Sequence, residues 1–188
     1  SDLADGNIQC GFGVACPDQH AALLATMERV NACCDWLGSV AFRDRLANKI
    51  ELQKLVYYEA RAMFELPSQL TIRAIGKTVE AYKRDKTIQP RFRPHGAIPY
   101  DQRIMSWRGI EAVSLLTLSG RVVVPIRFGA YQRERLDRAR GQADLAHAAE
   151  QIFELCEMTA QTSEFFAHIT TIGEQRDLLQ HSLVADIQ

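Results

Sequence analysis

Ile8, Phe12 and Val14 share one parity in a short run that predicts a strand over Ile8 to Ala15, ending before Pro17. Beyond the proline the period changes. Leu24, Met27, Val30, Ala32 and Trp36 recur near the helical spacing, Asp18 offers an N-cap, and no glycine interrupts the run until Gly38. A second helical stretch passes through Leu46, Ile50, Leu52, Leu55, Val56, Ala60 and Met63. Pro67 then resets the chain, Ser68 falls in or near a cap, and Leu70, Ala74, Ile75, Val79 and Tyr82 mark a third helix. The pattern predicts one strand and three helices before residue 87.

Pro90, Pro94 and Gly96 crowd the stretch Gln89 to Gly96 and end the helical character. Short β-branched and aromatic runs follow, predicting strands over Ile104 to Trp107, Val113 to Leu118 and Val122 to Ile126, with Ser119-Gly120 as a hairpin turn. Gly129 to Arg140 reads as a polar, basic helix capped by Gly141, and Gln142 to Leu145 as a further strand. Past His147 the apolar positions Ile152, Leu155, Cys156, Phe166, Ile169 and Ile172 predict mostly helix, although Gln151 to Met158 also fits a strand. Phe165 to Gln188 is expected to be a helix that covers a sheet edge or dimerises.

Charge divides the chain more sharply than hydropathy does. The net charge of -1 conceals a middle section, Arg73 to Arg140, with fifteen Lys/Arg against six Asp/Glu; residues 1 to 72 have six against nine, and residues 141 to 188 one against eight. A basic block beside an acidic tail is the footprint of a polyanion partner. Lys83, Arg84, Lys86, Arg91 and Arg93 bring five cations into eleven residues, with Tyr82 and Phe92 interleaved. Arg73, Lys77 and Arg84 fall on one helix face. Guanidinium forks suit phosphates and aromatic faces suit unpaired bases. The same run also reads as a solvated face compensated by nearby acids. In a second cluster, Arg133, Arg135, Arg138 and Arg140, the neighbours Glu134 and Asp137 stand at helical spacing and could satisfy it internally.

No catalytic constellation emerges. His95 lies between Pro94 and Gly96 without an Asp or Cys at useful spacing, and reads as a surface loop residue. Trp36 and Trp107 read first as core anchors, and Cys33 and Cys34 as packed helix residues rather than nucleophiles. Asp85, Asp101 and Asp144 do not make a two-metal carboxylate set. Five cysteines without a CxxC pair argue against a disulfide framework and a standard zinc site. With no apolar run of membrane length and no signal-type N-terminus, the expected location is a reducing cytoplasm.

The run from Leu52 to Trp107, LQKLVYYEARAMFELPSQLTIRAIGKTVEAYKRDKTIQPRFRPHGAIPYDQRIMSW, followed by VSLLTLSGRVVVPIRFGAYQRERLDRARGQADL, resembles the TnpB/OrfB proteins of insertion-sequence transposons, RNA-guided nucleases related to the type V CRISPR effectors. QHAALLATMERVNACCDWL is similar to the family's opening helix, so the likeness spans about Ile8 to Leu145. It implies an α+β fold: a wedge-like, oligonucleotide-binding-type β-barrel over residues 1–16 and 97–147 and a three-helix recognition lobe over 17–96; the acidic, mostly helical segment expected over 148–188 has no counterpart in the family. It also implies partners, a guide RNA and a target DNA whose short flanking motif the protein reads. By position, Ser68, Gln69, Arg73, Tyr100, Ser106 and Trp107 resemble the motif-reading surface. Lys77, Tyr82, Lys83, Arg84, Lys86, Arg91, Arg93, Arg103, Arg127, Arg133, Arg135, Arg138 and Arg140 would complete the nucleic-acid contacts.

The sequence also departs from the family. After Gly141-Gln142-Ala143-Asp144 the family continues into another barrel strand and a RuvC-like nuclease with a Gly-Val-Asp or Val-Asp-Leu-Gly phrase, and no such phrase or CxxC insertion occurs here. Three readings follow: a nuclease-free nucleic-acid-binding relative without a cofactor of its own; a piece of a magnesium-dependent RNA-guided endonuclease whose RuvC-like domain lies elsewhere; or a decayed transposon remnant that self-associates, or recruits a second chain, through residues 148–188. The first predicts steep salt dependence. About 6 to 10 neutralised phosphates would lower affinity by roughly three to five decades between 50 and 200 mM salt.

Overall fold

The computed structural model describes residues 6–12, 17–109, 112–127, 143–147 and 165–171, and the side chains of residues 17–109 and 112–126. The fold is mixed α and β. Strand β1 (Gly6–Phe12) precedes helices α1 (Pro17–Asp44), α2 (Lys49–Phe64) and α3 (Ser68–Arg84), and six strands follow: β2 (Ile98–Tyr100), β3 (Met105–Arg108), β4 (Ala112–Thr117), β5 (Gly120–Arg127), β6 (Ala143–His147) and β7 (Phe165–Thr171). The chain divides into two compact units, residues 21–98 and residues 1–20 with 99–188.

Helix α1 opens two residues earlier than an N-cap at Asp18 predicts, with Pro17 in its first turn and Asp18 inside the helix. It also continues past Trp36, through Gly38, to Asp44. Helix α2 is capped by Asn48, whose Oδ1 accepts from the amides of Ile50 at 2.8 Å and Glu51 at 3.4 Å. Both α1 and α2 end on non-glycine residues in the left-handed region, Arg45 (φ 53°) and Glu65 (φ 49°). Helix α3 starts after Pro67 without a side-chain cap. The core joins Leu23, Met27, Val30, Cys33, Cys34 and Leu37 of α1 to Leu52, Val56 and Ala60 of α2 and to Leu70, Ala74, Ile75, Val79 and Tyr82 of α3, all almost fully buried. Two of its buried hydroxyls are bonded to backbone: Thr26 Oγ1 donates to Ala22 O at 2.6 Å and Thr78 Oγ1 to Cys34 O at 3.4 Å.

The strands run in the order β2-β6-β7-β1-β5-β4-β3, an open arrangement with β2 and β3 at its ends. In the β3-β4-β5 meander, Trp107 pairs with Val113 and Met105 with Leu115, and Val113 pairs in turn with Val124. Alternation puts these residues on one face, where Met105, Val113, Leu115 and Val124 are buried. The hairpin turn is Leu118-Ser119, one residue earlier than predicted, because Gly120 pairs with Thr117 as the first residue of β5 and takes φ 102°.

One expectation is overturned. Phe165–Thr171 is not part of a helix but a strand, β7, pairing antiparallel with β1 across Gly6 to Gly11 and with β6 across Ala143 to His147. The run FFAHITT carries β-branched and aromatic residues that favour a pleated, paired strand, and it fills the place between β6 and β1. The helix expected over residues 129–140 and the helix or strand over 151–158 lie outside the described residues.

Candidate nucleic-acid interface

The segment following α3 is strapped along one stripe of α1. Gly38, Asp35, Asn31 and Glu28 lie at successive three- and four-residue steps up the helix, and each engages the segment in reverse order. Gly38 lets the Pro90 backbone approach: a Cβ there would stand 2.7 Å from Pro90 O. Asp35 accepts the Phe92 amide on Oδ1 and Arg91 Nη1 on Oδ2, both at 3.2 Å. Asn31, fully buried, donates to Gly96 O at 2.7 Å and Pro94 O at 3.1 Å. Glu28 Oε1 lies 2.9 Å from His95 Nε2. The strap therefore runs antiparallel to α1 over most of its own length.

Lys77 of α3 ties the strap to the second helix. Its ammonium donates to Asn31 Oδ1 at 2.6 Å and to Ala97 O at 2.7 Å, and stands 5.1 Å from the Phe92 ring centroid. This lysine was expected to hold phosphate. The structure spends its charge on internal acceptors instead, since a partly buried ammonium must satisfy its donors.

At the start of the strap, residues 83–88 are all exposed. Lys83 and Arg84 close α3, and Lys86 follows in a turn shaped by Asp85, whose Oδ1 accepts from the Thr87 amide at 2.8 Å and the Thr87 hydroxyl at 2.5 Å. These bonds hold the Asp85 carboxyl below its ordinary value, the hydroxyl contributing most. Among the described residues Lys83, Arg84 and Lys86 form no ion pair, and Glu80, one turn earlier, makes none with them. Arg91 and Arg93 are exposed further along, and Arg91 is 70% exposed at its side chain despite its contact with Asp35. An ion pair that exposed is worth only about 0 to 1 kcal/mol, so Arg91 can exchange partners at small cost.

The other expected contacts divide. Tyr82 is 3% exposed and meets Phe42 edge-on at 6.3 Å, so it is a core residue and not a stacking platform. Tyr100, 1% exposed, donates its hydroxyl to Leu116 O at 2.6 Å, and burial pushes its phenol well above the ordinary range. Its placement on a reading surface is likewise corrected. Ser106 and Trp107 are adjacent in β3 and so face opposite sides of the sheet, with Trp107 on the side of buried Met105. Ser68, Gln69 and Arg73 stand together at the head of α3, half-buried, with Gln69 Oε1 enclosed and without a hydrogen-bond partner among the described residues.

In the strand unit Arg103 and Arg108 are exposed. Arg121 there is braced by Nη2 to Arg103 O at 2.9 Å and Nη1 to Ser114 Oγ at 3.3 Å. The backbone of Arg127 pairs with Gly11 of β1. Arg133, Arg135, Arg138 and Arg140 lie outside the described residues. Among the described residues no group of His, Cys, Asp and Glu could hold a metal ion, and no helix is long and apolar enough to cross a membrane.

The strap itself escaped sequence reasoning. His95 reads as lacking a partner because Glu28 lies 67 positions away, and Asn31 gives no local signal of its three bonds. Proline spacing marked the segment as extended; nothing local marked its anchor.

No model of a known protein family matches the chain, and no curated protein matches it.

Proposed function

We propose that this chain binds nucleic acid through the exposed cations at the end of α3 and along the strap, as a relative of the TnpB/OrfB proteins. The observation that carries the reading is the cationic segment Lys83 to Arg93, five cations against the single acid Asp85, held in a defined path by α1. Phosphate oxygens reward cations whose backbone is already positioned, because less conformational freedom is lost on binding. The salt slope measures how many are engaged.

The order of elements supports the family likeness: three helices stand between β1 and β2, where the resemblance places its recognition lobe. On this reading the sheet is the wedge-like element, the partners are a guide RNA and its DNA target, and Ser68, Gln69 and Arg73 face the flanking motif. Arg103, Arg108, Arg127 and the Arg133 to Arg140 cluster add further backbone contacts.

Sequencing of the nucleic acid that copurifies with the protein tests this. A discrete, structured RNA species is the expected result. Copurification of no nucleic acid, or of bulk cellular RNA without enrichment, contradicts it.

A further inference from the structure

Ile88 is 63% exposed in the middle of the cationic segment, between two anchored points. On one side the Asp85–Thr87 turn is fixed by its paired hydrogen bonds, and on the other Pro90 is buried with its carbonyl against Gly38. The loop is therefore not free to turn Ile88 inward, and the stretch from Lys83 to Arg93 presents one large, strongly exposed aliphatic group among its cations. The aromatic residues in and just before this stretch are already engaged, Phe92 half-buried beside the Lys77 ammonium and Tyr82 in the core. A base face approaching this surface meets Ile88 rather than a ring.

We infer that Ile88 is a base-contacting tip, and that the partner of this surface is single-stranded or locally unpaired nucleic acid. The inference rests on the nucleic-acid reading above and deepens it. In a duplex the base faces are stacked, and an apolar wedge reaches them only by unstacking a step at a cost of about a few kcal/mol; in a single strand the faces are already exposed and offer apolar area that an aliphatic side chain can cover. Lys83, Arg84 and Lys86 before the tip, and Arg91 and Arg93 after it, would take the phosphates on either side. Because the side chain is mostly in water, replacing it leaves the core intact.

The test compares the full chain with Ile88→Ser by fluorescence anisotropy, using labelled oligothymidylate and the same strand annealed to oligoadenylate, at one salt concentration. The expected result is a loss of about fivefold for the single strand with the duplex unchanged, at unaltered melting temperature. Equal losses on both probes, or no loss on either, would overturn the role of Ile88 while leaving nucleic-acid binding in place. If the unsubstituted protein binds neither probe, the underlying reading fails as well. Ile88-dependent binding to phosphatidylserine vesicles without binding to oligonucleotides would reassign the tip to a lipid surface and overturn the inference.

Discussion

Asn31 and Lys77 meet at 2.6 Å, a buried amide oxygen of α1 accepting a hydrogen bond from an ammonium on α3. The two side chains close one network. Asn31 turns its nitrogen to the carbonyls of Pro94 and Gly96, and Lys77 reaches the next carbonyl, Ala97. The strap is thus held in part by its own backbone carbonyls, which do not depend on the side chains the loop carries.

Asn31→Ala removes all three bonds at once and takes from the Lys77 ammonium one of its acceptors, leaving it Ala97 O. The expected loss of stability is about 2 to 4 kcal/mol, read from urea denaturation. Hydrogen exchange should rise first at the amides of Phe92 and Gly96, which are bonded to Asp35 and to Arg93 O. A variant as stable as the parent would contradict the network.

Gly38→Ala sets two effects against each other. Alanine favours a helix interior by up to about 1 kcal/mol, but its Cβ would sit 2.7 Å from a backbone oxygen of Pro90. Overpacking against backbone costs roughly 1 to 3 kcal/mol and should win. Thermal melting checks the sign: the variant should melt lower.

Much of the helical unit was legible from periodicity, and Tyr82 shows how far that goes. It stands at helical spacing from Ile75 and Val79, both buried, so its place in the core is written in the same pattern that marks the helix, whatever cations neighbour it in sequence. Tyr100 and the Ser106-Trp107 pair repeat the point, since strand alternation separates neighbours that a surface reading had joined. Other features had no local signature. The left-handed ends at Arg45 and Glu65 use no glycine, and α1 runs through Gly38 because a distant carbonyl requires the space. Strand β7 was missed because its apolar residues fit a helix until their partners in β1 and β6 are known.

Cys33 and Cys34 are free and buried on α1, and burial raises both thiols, Cys34 to about 11. In the native protein both should resist iodoacetamide, becoming reactive only on unfolding; peptide-resolved mass spectrometry reads this directly. A raised acid favours the protonated folded state, so its contribution is complete below the unfolded value of 9.0 and is lost as pH climbs towards the folded one. Tyr100, raised by burial, acts in the same sense. Unfolding free energy should therefore fall from about pH 9 to 11. A flat or rising profile would contradict their burial.

Charge removal at the end of α3 separates binding from folding. The triple change Lys83→Gln, Arg84→Gln and Lys86→Gln touches exposed side chains without ion pairs among the described residues, so the melting temperature should shift little. Affinity for single strand and duplex should both fall, by roughly tenfold to a hundredfold near physiological salt, and the salt slope should drop by about two to three. Unchanged affinity on both probes would remove this segment from the interface.

The most direct measurement is the dissociation constant for a labelled RNA strand, followed as salt rises from 50 to 200 mM. The cations of the strap and the end of α3 can neutralise about 3 to 5 phosphates, so affinity should fall by at least roughly one to two decades over that range, with a steeper fall if other basic residues join. A constant affinity over the same range, or no binding at the lowest salt, would contradict the claim that this surface meets a polyanion.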